Sequence, residues 1–393
     1  MTETLTLATR GSDLALRQAE SVRDALSTRR RDVDVRRVQT RGDRISDELI
    51  HRLGRTGAFV RALDEEVLSG DADLAVHSLK DVPTEDAGDL VISGVPERAP
   101  AGDVVVHPEG LGIEELPSGA VVGTGSLRRT AQIKAERPDL EVAPLRGNVD
   151  TRIEKLLAPG LQMEHERRLI AAGELQAEDS PEDGDPAAGD EADESFDRTV
   201  EEWFDDLSDI QRSAMERRVE TEYDAIVLAE AGLRRSELFY EVPTTRLQRE
   251  EFVPAAGQGA IAVMATDPDV VETVRSAVDH PRTRIATTVE RTVLETLNGG
   301  CIAPIGVSAL VQGEYVHTRV RVLSTDGTEE VADVRDLPIE SHAQAAEAFA
   351  DELADRGAAE LIDRAREEAD TEPSVSTGGA ESVMRGSEEG DDA

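Results

Sequence analysis

The sequence predicts an α/β protein of two strand-and-helix units followed by a smaller α+β unit. Three observations lead there. Short apolar strands run into glycine-containing turns that open helices, at residues 8–12, 123–129 and 145–152. The 393 residues, 38% of them hydrophobic, suit two or three separate cores. Past residue 280 the order changes to a helix, three strands and a closing helix.

Charge sets the environment before any motif does. The net charge is -40, from 83 acidic against 43 basic residues, and only Lys80, Lys134 and Lys155 of the basic ones are lysines. Such a surface repels itself in dilute buffer, whereas at about 1 M salt the Debye length falls to roughly 3 Å. The composition therefore points to a high-salt cytoplasm. Apolar periodicity over most of the chain argues against an acidic disordered protein. A single cysteine, Cys301, excludes an internal disulfide and suits a reducing compartment. No apolar run approaches the roughly 18 residues of a membrane span, and no basic-then-apolar signal opens the chain. Nucleic acid is an unsuitable partner for so acidic a chain, but local arginine clusters can hold a small polyanion.

Leu5 and Leu7 mark the first strand, and Thr9-Arg10-Gly11-Ser12 turns into a helix with Ala15, Ala19, Val22 and Leu26 on its apolar face. The unpaired first-turn amides and the positive dipole end make this turn an anion site, with Arg10 pointing into it and Ser12 at the helix start. A plain helix cap is the alternative. Residues 33–38 alternate as a second strand, residues 40–57 read as a mobile loop over a cleft, and residues 59–68 as a helix. Residues 74–76 form a buried strand, and His77-Ser78-Leu79-Lys80-Asp81 follows at its C-terminal end, where open α/β sheets place their ligands. Lys80 beside Asp81 makes a proton-handling pair in which the ammonium holds the carboxylate ionised. A solvated surface pair is the alternative, and the scarcity of lysine favours function.

A connection over residues 95–101 opens the second unit. Strands at 104–106 and 120–122 lead to Gly123-Thr124-Gly125-Ser126-Leu127-Arg128-Arg129 and a helix ending at Pro138. Two arginines in a first helical turn oppose the dipole, which costs stability unless an anion sits between them. A strand at 141–145 and the turn Arg146-Gly147-Asn148-Val149-Asp150-Thr151-Arg152 repeat the device, with Asn148 or Asp150 as cap and a helix over 153–157. Three anion-ready turns in about 150 residues suit a ligand with several carboxylates, which guanidinium groups pair with bidentately. Residues 158–222 read as an acidic insertion flanked by helical segments at 162–172 and 199–219. Within it, residues 174–202 hold 13 acidic residues and one basic residue, Arg198. A strand at 224–228, the turn to Arg234-Arg235 and an extended crossing through Gly257-Gln258-Gly259 come next, then a helix at 270–278. A further helix, with Ile285, Val289, Val293, Leu294 and Leu297 at helical spacing, is stopped by Gly299-Gly300. That leaves Cys301 on an accessible loop, or alternatively as a small buried hydrophobe. Strands at 307–311, 315–323 and 330–335 precede one helix over 342–369, and the residues after about 370 read as a disordered tail.

The runs ATRGS (8–12), HSLKDVP (77–83), GTGSLRR (123–129), LRGNVDTR (145–152), DAIVLAEAGLRR (224–235), PAAGQGA (254–260) and GGCIAPIG (299–306) together resemble the porphobilinogen deaminase (hydroxymethylbilane synthase) family. Their order and spacing match over residues 4–157 and 223–368. The resemblance implies two α/β domains like those of periplasmic binding proteins, with a cleft between them, and a smaller C-terminal α+β domain. It places the first domain at 1–98 with 260–279, the second at 99–259 and the third at 280–369, with a tail at 370–393. It implies condensation of four porphobilinogen molecules head to tail, with release of ammonia, and a covalent dipyrromethane cofactor held by a thioether to Cys301. It assigns Asp81 as the catalytic carboxylate with Lys80 beside it. Arg10, Ser12, Ser78, Thr124, Ser126, Arg128, Arg129, Arg146, Arg152, Arg235 and Gln258 are then the groups around cofactor and substrate carboxylates. No metal is implied. Porphobilinogen is the expected partner of a cytoplasmic monomer, with neither nucleic acid nor membrane involved. Thr56 stands where the family more often has a basic residue, and Gly125 where it often has serine.

Two other readings compete. A non-catalytic two-lobed binding module for a polycarboxylate would use the same turns but leaves Cys301 and the Lys80-Asp81 pair without a purpose. Cysteine-nucleophile hydrolysis needs a histidine base, and none of the seven histidines lies in an evident partner motif.

Overall fold

A computed structural model describes residues 3–38, 58–84, 88–175, 196–299 and 303–371. The loop expected at 40–57, with Thr56, and Cys301 itself lie outside the described residues.

The described chain builds three sheets. The first takes β1 (Glu3–Arg10), β2 (Arg31–Val38), β3 (Leu74–Ser78) and β4 (Val91–Gly94). The second takes β5 (Asp103–Val106), β6 (Val121–Thr124), β7 (Glu141–Pro144), β8 (Ala225–Ala229) and β9 (Thr244–Arg246). The chain then returns to the first sheet with β10 (Ile261–Ala265). The resulting orders are β2-β1-β3-β10-β4 and β7-β6-β8-β5-β9. Each five-stranded sheet thus has four strands running in one direction and one strand, β10 or β5, running against them. The same order in both lobes follows from two crossings of the chain, because each antiparallel strand enters its sheet directly after a crossing. Neither β4 nor β9 is expected from the sequence; both are short edge strands too brief to show a period.

Helices cover both faces of each lobe. In the first, α1 (Asp13–Leu26) and α8 (Pro268–Val278) pack on one side through Ala19, Val22, Leu26, Val270 and Val274, and α2 (Ala58–Leu68) on the other through Leu63 and Val67. In the second, α3 (Leu127–Glu136) covers one face through Ile133, while α4 (Val149–Ala171), α6 (Asp209–Met215) and α7 (Glu230–Arg235) cover the other. Near-continuous apolar runs such as Val104, Val105 and Val106 are what strands buried on both faces require.

The third sheet is an antiparallel meander of β11 (Ile305–Gln312), β12 (Tyr315–Leu323) and β13 (Glu330–Pro338). On one face lie α9 (Pro281–Thr296), α10 (His342–Leu353) and α11 (Ala359–Thr371), packed through Val289, Val293, Phe349 and Leu361. The architecture is therefore the expected pair of α/β lobes with a smaller C-terminal α+β unit.

Four local expectations need correction. The helix after β7 does not stop at residue 157: α4 runs through Pro159 to Ala171, because one missing N–H is tolerated where the helix is packed on both sides of the proline. The helix expected at 199–219 is two, α5 (Val200–Asp205) and α6, each opened by its own capping box at Thr199 and Ser208. The C-terminal helix is broken where Gly357 takes φ 103°. Finally, α9 ends at Thr296, and Asn298, at φ 52°, takes the left-handed position just before the glycines expected to stop the helix.

Candidate active site

Most of the described candidate residues lie near the carboxyl ends of the parallel strands in the first two sheets. In the first lobe β1 ends at Arg10, and Ser12 caps α1 by accepting from the Ala15 amide at 3.4 Å. A hydroxyl that accepts one bond still has its proton to donate. β3 ends at Ser78, and the next residues, Leu79–Asp81, form a single 3₁₀ turn held to the crossing by Leu79 N–H on the Ala260 carbonyl at 3.0 Å. Leu79 is buried, while Lys80 and Asp81 are exposed. Among the described residues neither of the two is in an ion pair. The expected Lys80-Asp81 pair is thereby corrected. Consecutive residues of a 3₁₀ turn point about 120° apart, so adjacency in sequence separates these two charges.

The second lobe holds the largest departure. Arg128 and Arg129 are buried, 5% and 6% exposed, and the anion between them belongs to the chain. Asp103 Oδ2 accepts from Arg128 Nη2 and Oδ1 from Arg129 Nη2, both at 2.7 Å. The Gln258 amide also donates to Asp103 Oδ1 at 2.8 Å and to the Ala101 carbonyl at 2.5 Å, so this side chain is engaged inside the protein. Arg128 reaches Val253 O at 2.7 Å and Arg129 reaches Val227 O at 3.1 Å. Asp103 opens β5, which runs against β8, so its side chain enters the sheet at the edge where α3 begins. The sequence signal was available: an acid heads the otherwise apolar strand Asp-Val-Val-Val.

Burial alone would raise the Asp103 pKa, but the charges and hydrogen bonds of Arg128 and Arg129 outweigh it and hold the carboxyl well below the usual range. A folded-state pKa below the unfolded value of about 3.9 contributes stability above that pH and loses it as pH falls through the folded value. Asp103→Asn is expected to cost about 3–5 kcal/mol of unfolding free energy at neutral pH, because two buried guanidinium groups lose their counter-charge. Denaturant titration in high KCl checks this, and the variant should also lose less stability than the parent between pH 6 and pH 3.

Arg152 and Arg235 differ from that pair. Arg152 Nε donates to Gly147 O at 2.8 Å and Arg235 Nη2 to Gly259 O at 2.7 Å, and among the described residues no carboxylate pairs with either. Burial, aided by the charge of Arg129, lowers the Arg152 pKa to about 10, and burial lowers that of Arg235 to about 10. Each is a desolvated cation that a bound anion would relieve. Arg146 precedes the same turn as Arg152 and is half-buried. Thr124 is buried at the end of β6, where its hydroxyl accepts from the Ser126 amide at 3.3 Å, and Ser126 caps α3 through its backbone position only. A Cβ on Gly125 would lie 2.7 Å from Leu145 O, so the serine common in the family has no room here without a backbone shift.

Two charges that the sequence reading missed, one of them fully buried, join the lobes to the third sheet. Glu290 is fully buried in α9 and accepts from Arg98 at 2.7 and 3.0 Å, from Gly257 N–H at 2.8 Å and from Ala309 N–H at 2.8 Å. It stands four residues after Ala286 and three before Val293, on the apolar stripe, which is the signal of a paired buried acid. One residue on, Arg291 donates to the Val82 and Pro83 carbonyls at 2.8 and 2.6 Å. The helix that leads toward Cys301 therefore holds the segment that follows Asp81. Gly299 and Ala303, the described residues on either side of Cys301, are both buried, and Ala303 N–H donates to Gly299 O at 3.3 Å.

Comparison with known proteins gives consistent results. Residues 5–175 and 210–272 match the family model described as porphobilinogen deaminase, dipyromethane cofactor binding domain, and residues 285–356 match porphobilinogen deaminase, C-terminal domain. The chain is 53% identical over 389 residues to a probable porphobilinogen deaminase of Halobacterium salinarum, covering 92% of this chain and 98% of that one. It is 34% identical over 368 residues to the porphobilinogen deaminase of Campylobacter hominis, covering 92% and 98%. The family models leave residues 176–209 unmatched, a stretch that falls within the residues 158–222 read as an insertion.

Proposed function

Because the chain belongs to the porphobilinogen deaminase family, we propose a residue-by-residue assignment for the reaction that membership establishes. That reaction is hydroxymethylbilane synthesis: four porphobilinogen molecules are condensed head to tail, with release of ammonia, to linear hydroxymethylbilane. The cofactor of the family is dipyrromethane.

Asp81 is the catalytic carboxylate. It stands exposed at the carboxyl edge of the first sheet, on a turn fixed from behind by Leu79 and followed by carbonyls that Arg291 holds. Loss of ammonia from the aminomethyl group of the substrate leaves a cationic azafulvene, and a fixed carboxylate at the pyrrole N–H stabilises that charge where it develops. Lys80, pointing elsewhere, is available to protonate the departing amine.

Arg152 and Arg235 carry the binding half of the assignment, because they are desolvated cations without a carboxylate among the described residues. Each pyrrole ring bears an acetate and a propionate, so a chain of rings brings two negative charges per unit. Arg10, Ser12, Ser78, Thr124, Ser126 and Arg146 complete the ring of donors at the two sheet edges. Arg128, Arg129 and Gln258 serve chiefly through Asp103. The two arginines share one carboxylate, which leaves an excess positive charge and two buried Nε–H groups without acceptors behind the site. This donor set fits a polycarboxylate cofactor. Held through Cys301, dipyrromethane supplies the pyrrole carbon to which the first substrate unit is joined.

We assign domains at 1–98 with 260–279, 99–259 and 280–369, a division that the three separate sheets support. No helix among the described residues is long and apolar enough to cross a membrane. We also propose a monomer working in the cytoplasm on porphobilinogen without nucleic acid, a reading that the net charge of -40 supports.

Arg152→Ala and Arg235→Ala test the binding half. Each is expected to raise KM for porphobilinogen about tenfold or more while lowering kcat less, since uniform binding is what a carboxylate contact supplies. Unchanged KM in both variants contradicts the assignment.

A further inference from the structure

The segment returning to β8 is seated on the turn that carries Arg146 and Arg152, and nothing in the reaction described so far uses it. Gly147 takes φ 116°, and a Cβ there would lie 2.4 Å from Thr151 Cγ2, so Thr151 closes directly over the turn. Arg152 Nε is bonded to the carbonyl of the same glycine. Thr151, Gly147 and Arg152 are thus one contact set, and moving the threonine moves the arginine.

Arg217, just beyond α6, holds that set from outside. Its Nε pairs with Glu154 and its Nη2 donates to Thr151 Oγ1 at 3.4 Å. Its own position is fixed by Gln162, whose amide donates to the Arg217 carbonyl at 2.7 Å and the Met215 carbonyl at 3.1 Å. α6 is anchored on α4 by Ile210, which packs in one core with Ile153 and Leu156. Further along, Trp203 of α5 stacks on His165 with ring centroids 5.9 Å apart, and Arg168 lies 4.2 Å from the Phe196 ring centroid. On the other side of the turn, Tyr223 O–H donates to the Pro144 carbonyl at 2.8 Å, immediately before Leu145 and Arg146. The turn is therefore gripped at both ends by one returning segment.

From this geometry we infer that Arg217 is a positioning residue for the carboxylate-binding turn, and that the α5–α6 pair is the support that seats it. The inference rests on the assignment of Arg152 to substrate binding made above. Glu154 is largely buried, so the pair it makes with Arg217 is less screened by salt than an exposed one. Arg217 touches no reacting group; it acts by fixing where the Arg152 guanidinium stands.

Steady-state kinetics of the full chain in high KCl tests this with Arg217→Ala, Arg217→Lys, Thr151→Val and Arg152→Ala. A small displacement of a substrate-positioning group suffices for a large kinetic effect, so Arg217→Ala is expected to raise KM about tenfold with kcat within about twofold. Arg217→Lys keeps a charge for Glu154 and a donor for Thr151, and should return KM to within about twofold of the parent. Thr151→Val keeps the shape over Gly147 but removes the acceptor, and should raise KM in the same direction. A purely structural role would lower the thermal midpoint of Arg217→Ala and leave KM unmoved where the variant is folded; that result overturns the inference. Should Arg217→Ala not fold, an unchanged KM in Thr151→Val overturns it equally. A raised KM in Arg152→Ala with none in Arg217→Ala and Thr151→Val removes the brace alone, and an unchanged KM in Arg152→Ala removes the binding assignment and the brace together.

Discussion

Asp81→Asn is expected to lower kcat by about 10³-fold while leaving the fold and, within a few-fold, KM unchanged. The substitution keeps the shape of the side chain and its ability to accept a hydrogen bond, and removes only the charge. Since Asp81 is exposed and in no ion pair among the described residues, no folded-state contact is lost with it. The whole effect should then fall on the step in which positive charge develops on the pyrrole. Asp81→Glu keeps the charge but moves it by one methylene, and should retain part of the rate. Initial rates at saturating porphobilinogen, beside circular dichroism of each variant, make the comparison. A loss of less than tenfold in Asp81→Asn would remove this residue from the chemistry.

Cys301→Ala has the second large effect, and it is of a different kind. If the thiol is the attachment point, its removal leaves no anchor for the cofactor, and turnover should fall below detection whatever the substrate concentration. The residues on either side, Gly299 and Ala303, are buried and joined by a backbone hydrogen bond, so loss of one sulfur atom should leave the third sheet folded. An active Cys301→Ala enzyme would move the attachment elsewhere. An inactive one with an unfolded C-terminal unit would be explained by stability, which is why near-ultraviolet circular dichroism accompanies the assay.

Much of this molecule was legible in its sequence because local rules carried it. Strand-to-helix turns at Arg10, Thr124 and Leu145 follow from glycine and capping residues placed at the ends of apolar runs. Apolar stripes such as Ala19, Val22 and Leu26 gave the helices. Long-range relations were not legible in this way. That β5 and β10 enter their sheets antiparallel depends on two chain crossings, which no local pattern encodes. Asp103 lies 25 residues before Arg128, so the carboxylate between the paired arginines was assigned to a ligand, when tertiary structure supplies it. Two cations opposing a helix dipole do need an anion between them, and the chain itself supplies it as Asp103. Adjacency misled in the opposite direction for Lys80 and Asp81, since a 3₁₀ turn separates neighbours. The helix read over 153–157 continues past Pro159 as α4, where packing outweighs one lost hydrogen bond.

The central claim is that Cys301 carries a covalent dipyrromethane from which the product is built. Intact mass of the purified chain under denaturing conditions, beside Cys301→Ala, tests it most directly. The expected result is an excess equal to two pyrrole units on the native chain and none on the variant. A native chain that is unmodified, and that gains no such adduct on incubation with porphobilinogen in high KCl, would contradict it.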